Sequence, residues 1–270
     1  MIVNGEEYHI EIEGSSKPVV LLHGFTGSTK SWSRLIQTFK NEFQMIAIDL
    51  PGHGHTKVTS SEKYRMEQAC ESIKTILDQL AIKKAAFIGY SMGGRTALAF
   101  ANMYPERVSC LVLESASPGL KTPDERLARQ KSDAELAAFI ENEGIERFTD
   151  RWEQVPLFES QKHLSAEKRE EIRAGRLKNT EEGLAESLRY MGTGSQKSYW
   201  EHLNTLHIPV LLLTGEWDRK FINIANEMEK LLPNAMHQNI LHAGHAIQVE
   251  QPEKFDTMVR EFLNKNSTTY

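Results

Sequence analysis

Short runs of apolar residues alternate along the chain with longer segments in which apolar positions recur every three or four residues. Mostly apolar runs of this length predict strands that are buried on both faces, as in a parallel sheet. Near the N-terminus, the runs 2–3 and 8–12 flank Asn4 and Gly5, a dipeptide that predicts a hairpin turn. The six later runs that predict buried strands are 18–23, 44–49, 85–89, 108–114, 209–214 and 236–241.

The segments between these runs carry the spacing of amphipathic helices. In residues 65–80 the apolar side chains recur at intervals of three and four, which places them on one helix face. Residues 93–104, 221–232 and 253–263 also predict helices. Regular alternation of strands and helices favours a doubly wound α/β sheet.

The alternation stops between residues 118 and 206, where no strand-like run occurs. The charged sequence there predicts helices, with breaks at Gly144, Gly175 and residues 192–194. Because so long an insertion between strands is usually functional, we expect residues 118–206 to form a helical cap, or lid. The α/β core is then formed by 1–117 and 207–270, with the cap above the carboxyl edge of the sheet, where open α/β sheets bind ligands.

Composition narrows the class of protein and its partners. The chain is 40% hydrophobic and 26% charged, which is typical of a globular protein. Its 32 Lys and Arg against 37 Asp and Glu give a net charge of −5, which argues against a nucleic-acid partner. Cys70 and Cys110 show no spacing typical of zinc sites or disulfide frameworks. With no signal peptide visible and no apolar run long enough to span a bilayer, we expect a cytoplasmic protein without a membrane partner.

Residues 89–93 form a G-x-S-x-G motif centred on Ser91. The motif follows the predicted strand 85–89 and opens the predicted helix 93–104, which is the setting of a nucleophile elbow. Glycines permit the tight turn, and the helix N-terminus favours developing negative charge. Ser91 is therefore the candidate catalytic serine.

A catalytic serine needs a base and an acid that orients the base. His245 lies between the last predicted strand and the last predicted helix, and His242 is the alternative base. Asp218 follows the strand before it, and Glu216 and Glu114 are the alternative acids. The chain order serine, acid, histidine is the one used by α/β-hydrolases.

An oxyanion hole requires two N–H donors aimed at one point. The first expected donor is the N–H of Met92, directly after the serine. The second is expected in the loop that follows strand 18–23, where His23 and Gly24 precede Phe25. We therefore predict the N–H groups of Phe25 and Met92 as the oxyanion hole.

With HGFTGS at 23–28, GYSMGG at 89–94, GEWD at 215–218 and AGH at 243–245 in this order, the chain resembles the α/β-hydrolase superfamily over nearly its whole length. The resemblance implies a mostly parallel eight-stranded sheet with helices on both faces and a helical cap. Esterases, dehalogenases, C–C hydrolases, lyases and inert binding proteins share this fold, so finer features must decide the function.

Those finer features are an arginine four residues after the serine and the cap segments 150–158, 173–176 and 192–196. Together they resemble the pyruvate-eliminating synthases of menaquinone biosynthesis, which form 2-succinyl-6-hydroxy-2,4-cyclohexadiene-1-carboxylate. The resemblance implies a cofactor-independent and metal-free lyase whose substrate is a small-molecule tricarboxylate. Planar guanidinium groups bind carboxylates in a bidentate manner, so arginines near the serine suit this substrate.

The same resemblance implies a role for each matching residue. It gives Ser91, Asp218 and His245 as the triad, Arg95, Arg129 and Arg176 as anion-binding arginines, and Tyr90 and Trp152 as pocket residues. Arg173, one helical turn before Arg176, remains an alternative to it. We expect a monomer. The alternative functions are a carboxylesterase or C–C bond hydrolase that forms a covalent acyl-enzyme, and a non-catalytic binding protein.

Overall fold

The computed structural model describes residues 1–267, so the last three residues of the predicted core range 207–270 lie outside the described residues. The strands in these residues are β1 (Ile2–Val3), β2 (Glu6–Glu7), β3 (Ile10–Glu13), β4 (Lys17–Leu22), β5 (Phe43–Ile48), β6 (Ala85–Tyr90), β7 (Val108–Glu114), β8 (Val210–Gly215) and β9 (Ala235–Ile240). The α-helices are α1 (Ser33–Phe39), α2 (Met66–Gln79), α3 (Met92–Met103), α4 (Pro123–Trp152), α5 (Ala166–Arg176), α6 (Glu181–Met191), α7 (Arg219–Leu231), α8 (Ile247–Glu250) and α9 (Pro252–Asn266).

The central sheet has the strand order β3-β5-β4-β6-β7-β8-β9. β3 pairs with β5 in the antiparallel sense, and the other neighbours are parallel. The α/β-hydrolase architecture is therefore confirmed, but the expected number of eight strands is wrong. Within residues 1–267 the central sheet has seven strands, and β1 and β2 form a separate two-stranded sheet.

The difference arises at the N-terminal hairpin. Asn4 and Gly5 both have positive φ angles, 51° and 84°, as a two-residue hairpin turn requires. The turn pairs Val3 with Glu6 and Ile2 with Glu7, so β1 pairs with β2 and not with the run 8–12. That run instead supplies most of β3, at the edge of the central sheet.

Alternating side chains of the central strands enter two hydrophobic cores, one on each face of the sheet. On β4, Val20 and Leu22 face the core covered by α2, α3 and α7, whereas Val19 and Leu21 face the core covered by α1 and α9. All four side chains are fully buried. Burial on both faces explains why these strands read as continuous apolar runs. Because β4 to β9 run parallel to one another, their carboxyl ends lie at the same edge of the sheet.

The chain between β7 and β8 is helical within the described residues, and it contains α4, α5 and α6 together with short 3₁₀ turns. α4 and α6 pack through a small core of their own that includes Ile140, Phe148 and Leu184. Gly144 breaks α4 with a φ of 83°, and α5 ends at Arg176, one residue after the break expected at Gly175. The boundaries 118 and 206 of the cap remain a prediction. No helix within residues 1–267 combines the length and the apolar character needed to cross a membrane.

Candidate active site

Ser91 occupies the turn between β6 and α3. Its φ of 50° and ψ of −106° are unusual for a residue with a side chain, and such strain is common at functional sites. A side chain at Gly93 would collide with the backbone oxygen of Leu22, and one at Gly89 with the backbone oxygen of Gly93. The glycines of the motif therefore let β6, β4 and α3 approach closely enough to present the serine at the edge of the sheet.

His245 lies between Ser91 and Asp218. Its Nε2 is 3.0 Å from Oγ of Ser91, and its Nδ1 is 2.6 Å from Oδ2 of Asp218. Because a carboxylate can only accept, Nδ1 carries the proton and donates it to Asp218, which leaves Nε2 free to accept from the Ser91 hydroxyl. His245 and Asp218 are both buried. The structure thus brings the three predicted catalytic side chains together in hydrogen-bonding order.

The alternative base and acids take other positions. His242 is exposed, and its N–H donates to Oε2 of Glu216 at 2.9 Å. Glu114 is fully buried, and its Oε1 accepts the N–H of Gln248 at 3.1 Å. Burial raises the pKa of Glu114 well above its ordinary value. Since both ring nitrogens of His245 are occupied by Ser91 and Asp218, the geometry favours Asp218 over either glutamate.

Phe25 and Met92, the two predicted oxyanion donors, line the same cavity as Ser91. Met92 is the first residue of α3, where an N–H has no partner within its own helix. Phe25 lies in the loop after β4, and within residues 1–267 its N–H has no protein acceptor. His23 fixes this loop, because its Nε2 accepts the Leu50 N–H at 3.0 Å and its Nδ1 donates to the Gly24 oxygen at 2.8 Å. Burial lowers the pKa of His23, which favours this neutral ring.

A cavity of about 210 Å³ opens beside Ser91 and His245. Its charged lining consists of Arg95, Arg129 and Lys220, and among the described residues no Asp or Glu lines it. The remaining walls are mainly apolar and aromatic. A cavity lined by cations, in a chain whose net charge is −5, is a site for an anionic molecule.

Arg95 lines this cavity, and two hydrogen bonds hold its guanidinium in place. It is buried, and its Nη1 donates to the oxygen of Met191 at 3.1 Å and to Oε1 of Gln196 at 2.5 Å. Burial lowers the pKa of Arg95 to about 10, and the neighbouring charge of Arg129 adds to the shift. Arg95 therefore stays charged at neutral pH. Arg129 is less buried, and its Nε donates to Oδ1 of Asp133 at 2.7 Å.

Arg176 does not line the cavity next to Ser91. It is buried in an adjoining cavity of about 490 Å³, where Nη1 donates to Oε1 of Glu153 at 3.0 Å and Nη2 to Oε1 of Gln161 at 3.3 Å. The Phe158 ring lines both cavities and lies 5.1 Å from the Arg176 guanidinium. Arg173 lines the same second cavity and pairs with Asp150 and Glu153. Of the two arginines, Arg176 is therefore the one nearer to the catalytic side chains.

The two predicted aromatic pocket residues, Tyr90 and Trp152, both line the cavity. The Tyr90 ring lies 5.5 Å from the His245 ring, and burial raises the pKa of the Tyr90 phenol well above its ordinary value. Trp152 contacts Phe25, with 5.4 Å between ring centroids. Its indole Nε1 is buried and has no hydrogen-bond partner among the described residues, so it is a donor available to a bound molecule.

Other residues of the site were not predicted from the sequence. Lys220 lines the cavity, and among residues 1–267 it forms no ion pair. Phe221 lies against the His245 ring, with 4.7 Å between centroids. The only available signal was their position in the helical turn directly after Asp218. Gln196 lies in the segment 192–196 that carried the resemblance, but no role was predicted for it, and Glu250 carried no signal, since their contacts with Arg95 and with the neighbours of His245 depend on the folded chain.

Within residues 1–267, no three His, Cys, Asp or Glu side chains form a group that could hold a metal ion. The charged groups that line the cavity are cations, which repel metal ions and attract carboxylates. The chemistry that the described residues can perform is therefore acid–base or nucleophilic catalysis by Ser91 and His245 on an anionic molecule.

Comparison with known proteins places this site in a family. The model of the alpha/beta hydrolase fold matches residues 17–252. A Bacillus subtilis protein named as a candidate 2-succinyl-6-hydroxy-2,4-cyclohexadiene-1-carboxylate synthase is 46% identical over 97% of this chain and 96% of its own length. The synthase of that name from Citrobacter koseri is 35% identical over 87% of this chain and 88% of its own. The solved structure of MenH from S. aureus superposes with a TM-score of 0.91 at 36% identity, covering 96% of this chain and 98% of that one.

Proposed function

Because the chain belongs to the α/β-hydrolase family and, within it, to the 2-succinyl-6-hydroxy-2,4-cyclohexadiene-1-carboxylate synthases, we propose that it is the lyase that forms this product. The substrate is 2-succinyl-5-enolpyruvyl-6-hydroxy-3-cyclohexene-1-carboxylate, and the second product is pyruvate. The reaction belongs to menaquinone biosynthesis. The free thiols of Cys70 and Cys110, both buried, fit a reducing cytoplasm as its location.

One observation carries the proposal: the cavity beside Ser91 and His245 is lined by three cationic side chains and, within the described residues, by no carboxylate. A pocket for a neutral ester has no need of this charge. The proposed substrate bears three carboxylates, and buried guanidinium groups bind carboxylates through short, charge-assisted hydrogen bonds. The same positive potential speeds the capture of an anionic substrate by a chain with a net charge of −5.

The first step is removal of the proton α to the succinyl ketone. Ser91 Oγ takes this proton as its own hydroxyl proton passes to Nε2 of His245, 3.0 Å away. The imidazolium that forms is stabilised by the Asp218 carboxylate, 2.6 Å from Nδ1. The enolate oxygen is bound by the N–H groups of Phe25 and Met92, which have no other protein acceptor within residues 1–267.

The second step breaks the bond between the ring and the enolpyruvyl oxygen. The electrons of the enolate shift through the ring alkene and expel enolpyruvate, which leaves a conjugated cyclohexadiene. The proton held by His245 is the one that the departing enolpyruvate takes up, and its arrival at the methylene carbon gives pyruvate and restores neutral His245. Ser91 acts as a base throughout, so no acyl-enzyme forms.

Three residues are proposed to bind the carboxylates from the cavity itself: Arg95, Arg129 and Lys220. Arg176 is proposed as a further anion-binding residue. It pairs with Glu153 in the adjoining cavity, and Phe158 lines both cavities, so Arg176 contributes its charge from beside the Ser91 cavity. Trp152 offers its unpaired indole N–H to a substrate oxygen.

Pyruvate release from the synthetic substrate, followed with lactate dehydrogenase and NADH, tests the proposal. The wild type should release pyruvate, and Ser91→Ala should lower kcat by about 10³-fold or more. Arg147→Ala is the matched control, since Arg147 is an exposed cap arginine that pairs with Glu143. Absence of pyruvate release by the wild type, or undiminished release by Ser91→Ala, would overturn the proposal.

The second candidate is a carboxylesterase or C–C bond hydrolase. It is favoured by the assembled Ser91–His245–Asp218 geometry, which could equally activate the serine as a nucleophile. This candidate predicts rapid hydrolysis of simple aryl esters that is unaffected by Arg95→Ala, with a burst of acyl-enzyme. The lyase predicts instead that Arg95→Ala impairs the reaction of the tricarboxylate.

A further inference from the structure

The loop that carries His245 is held by a carboxylate that the proposed reaction does not use. Oε2 of Glu250 accepts the N–H of Gly244 at 2.7 Å, and Oε1 accepts the N–H of Ala246 at 3.3 Å. One side chain therefore binds the residues on both sides of His245. Glu250 does not line the cavity, so it has no contact with a molecule bound there.

A second carboxyl group, that of Glu114, connects the segment after His245 to Ser91. Oε1 of Glu114 accepts the N–H of Gln248, and the backbone oxygen of Glu114 accepts the N–H of Ser91 at 2.8 Å. Glu114 thus joins the serine turn to the segment that follows His245. The acid turn is joined as well, because the N–H of Trp217 donates to the oxygen of Ala243 at 3.0 Å.

The loop needs such support because residues 241–246 form no helix or strand. His242 within it has a φ of 63°, which is a strained conformation for a residue with a side chain. The His245 ring must nevertheless meet Ser91 at 3.0 Å and Asp218 at 2.6 Å at the same time. An error of about 1 Å in such a geometry lowers the rate about 10²-fold.

We propose that Glu250 is a positioning residue for the catalytic base, which holds His245 against Ser91 through the N–H groups of Gly244 and Ala246. The inference rests on the proposed role of His245 in the lyase. Because Glu250 acts on the base and not on the substrate, its loss should lower kcat and leave KM unchanged.

The experiment compares Glu250→Ala and Glu250→Gln with the wild type. A glutamine keeps one carbonyl oxygen that can accept the Gly244 N–H, so it should rescue part of the activity. We expect Glu250→Ala to lower kcat about 10- to 100-fold, and Glu250→Gln to give an intermediate kcat, because hydrogen bonds to a charged group are worth this much. KM should stay within about twofold in both, since uniform substrate binding is not affected. Glu253→Ala removes an exposed carboxylate three residues away, paired with Arg34, and should match the wild type.

A second readout separates this inference from the proposed function. A fluorophosphonate probe labels Ser91 only as fast as His245 can accept its proton, and no natural substrate is needed. If the wild type releases no pyruvate but Glu250→Ala still slows labelling by the same factor, the proposed function fails and the positioning role stands. Wild-type kcat and labelling rates in Glu250→Ala would overturn the inference. Should that variant fail to fold, a Glu250→Gln protein with wild-type kcat and labelling rate would overturn it.

Discussion

Nη1 of Arg95 donates a hydrogen bond to Oε1 of Gln196 at 2.5 Å, and both side chains are buried. Gln196 belongs to the segment between α6 and β8, whereas Arg95 belongs to α3. The bond therefore fixes this segment to the helix that begins directly after Ser91. It also aims the guanidinium at the cavity, where a second arginine, Arg129, adds to the positive potential.

Removal of this acceptor should weaken substrate binding. In Gln196→Leu, Arg95 loses an oriented partner while its charge remains, so we expect KM to rise about tenfold, with a smaller effect on kcat. Steady-state pyruvate release measures both constants. Gln79→Leu is the control, since Gln79 is exposed and contacts only the backbone of Ile2. An unchanged KM in Gln196→Leu would show that Arg95 does not depend on this bond.

Lys220 should act through its charge at the cavity wall. Its ammonium lies 5.4 Å from the Phe221 ring, which in turn packs on His245. Lys220→Met keeps most of the aliphatic chain and should raise KM about tenfold, whereas Lys220→Arg should stay within about threefold, because a charge-assisted contact is retained. The measurement is the KM of each variant in the pyruvate assay, at low and at high salt. Equal KM values would mean that Lys220 does not bind a carboxylate.

Arg176 and Arg173 can be distinguished by the same assay. Arg176 is buried against Phe158, which lines the cavity of Ser91, while Arg173 is partly exposed and already paired with Asp150 and Glu153. We expect Arg176→Ala to raise KM about tenfold or more and Arg173→Ala to change it less than threefold. A larger effect of Arg173→Ala would reverse this assignment.

Glu114 should make the stability of the fold depend on pH. Burial raises the pKa of its carboxyl in the folded state above the value in the unfolded chain. The folded protein therefore binds the extra proton, and the contribution of Glu114 is fully present below the unfolded pKa and is lost as the pH rises through the folded pKa. Glu114→Gln keeps an acceptor for Gln248 but cannot ionise. The Tm of Glu114→Gln minus the Tm of the wild type should increase by about 2–4 °C from pH 5 to pH 8. A Tm difference that does not change with pH would contradict this explanation.

Sequence patterns were sufficient where a local rule determines the structure. The strand runs and the G-x-S-x-G turn placed Ser91, Asp218 and His245 at the carboxyl edge of the sheet, because parallel strands covered on both faces read as continuous apolar segments. The α/β-hydrolase architecture could be predicted for the same reason.

Features that depend on tertiary packing could not be predicted. The sequence indicates a hairpin turn at Asn4 and Gly5, but no pattern shows that β1 and β2 form a sheet apart from the central one. The position of Arg176 in the adjoining cavity was not predictable either, because its partners Glu153 and Phe158 belong to other segments of the chain.

The central claim is that Ser91 removes a proton from carbon and never becomes acylated. The most direct test is a rapid-quench experiment with the natural substrate in single turnover, in which each time point is split between a pyruvate assay and an intact-mass measurement of the protein. We predict that pyruvate accumulates while the protein mass stays that of the unmodified chain. A mass increase located at Ser91 that rises and decays as pyruvate is released would contradict the claim.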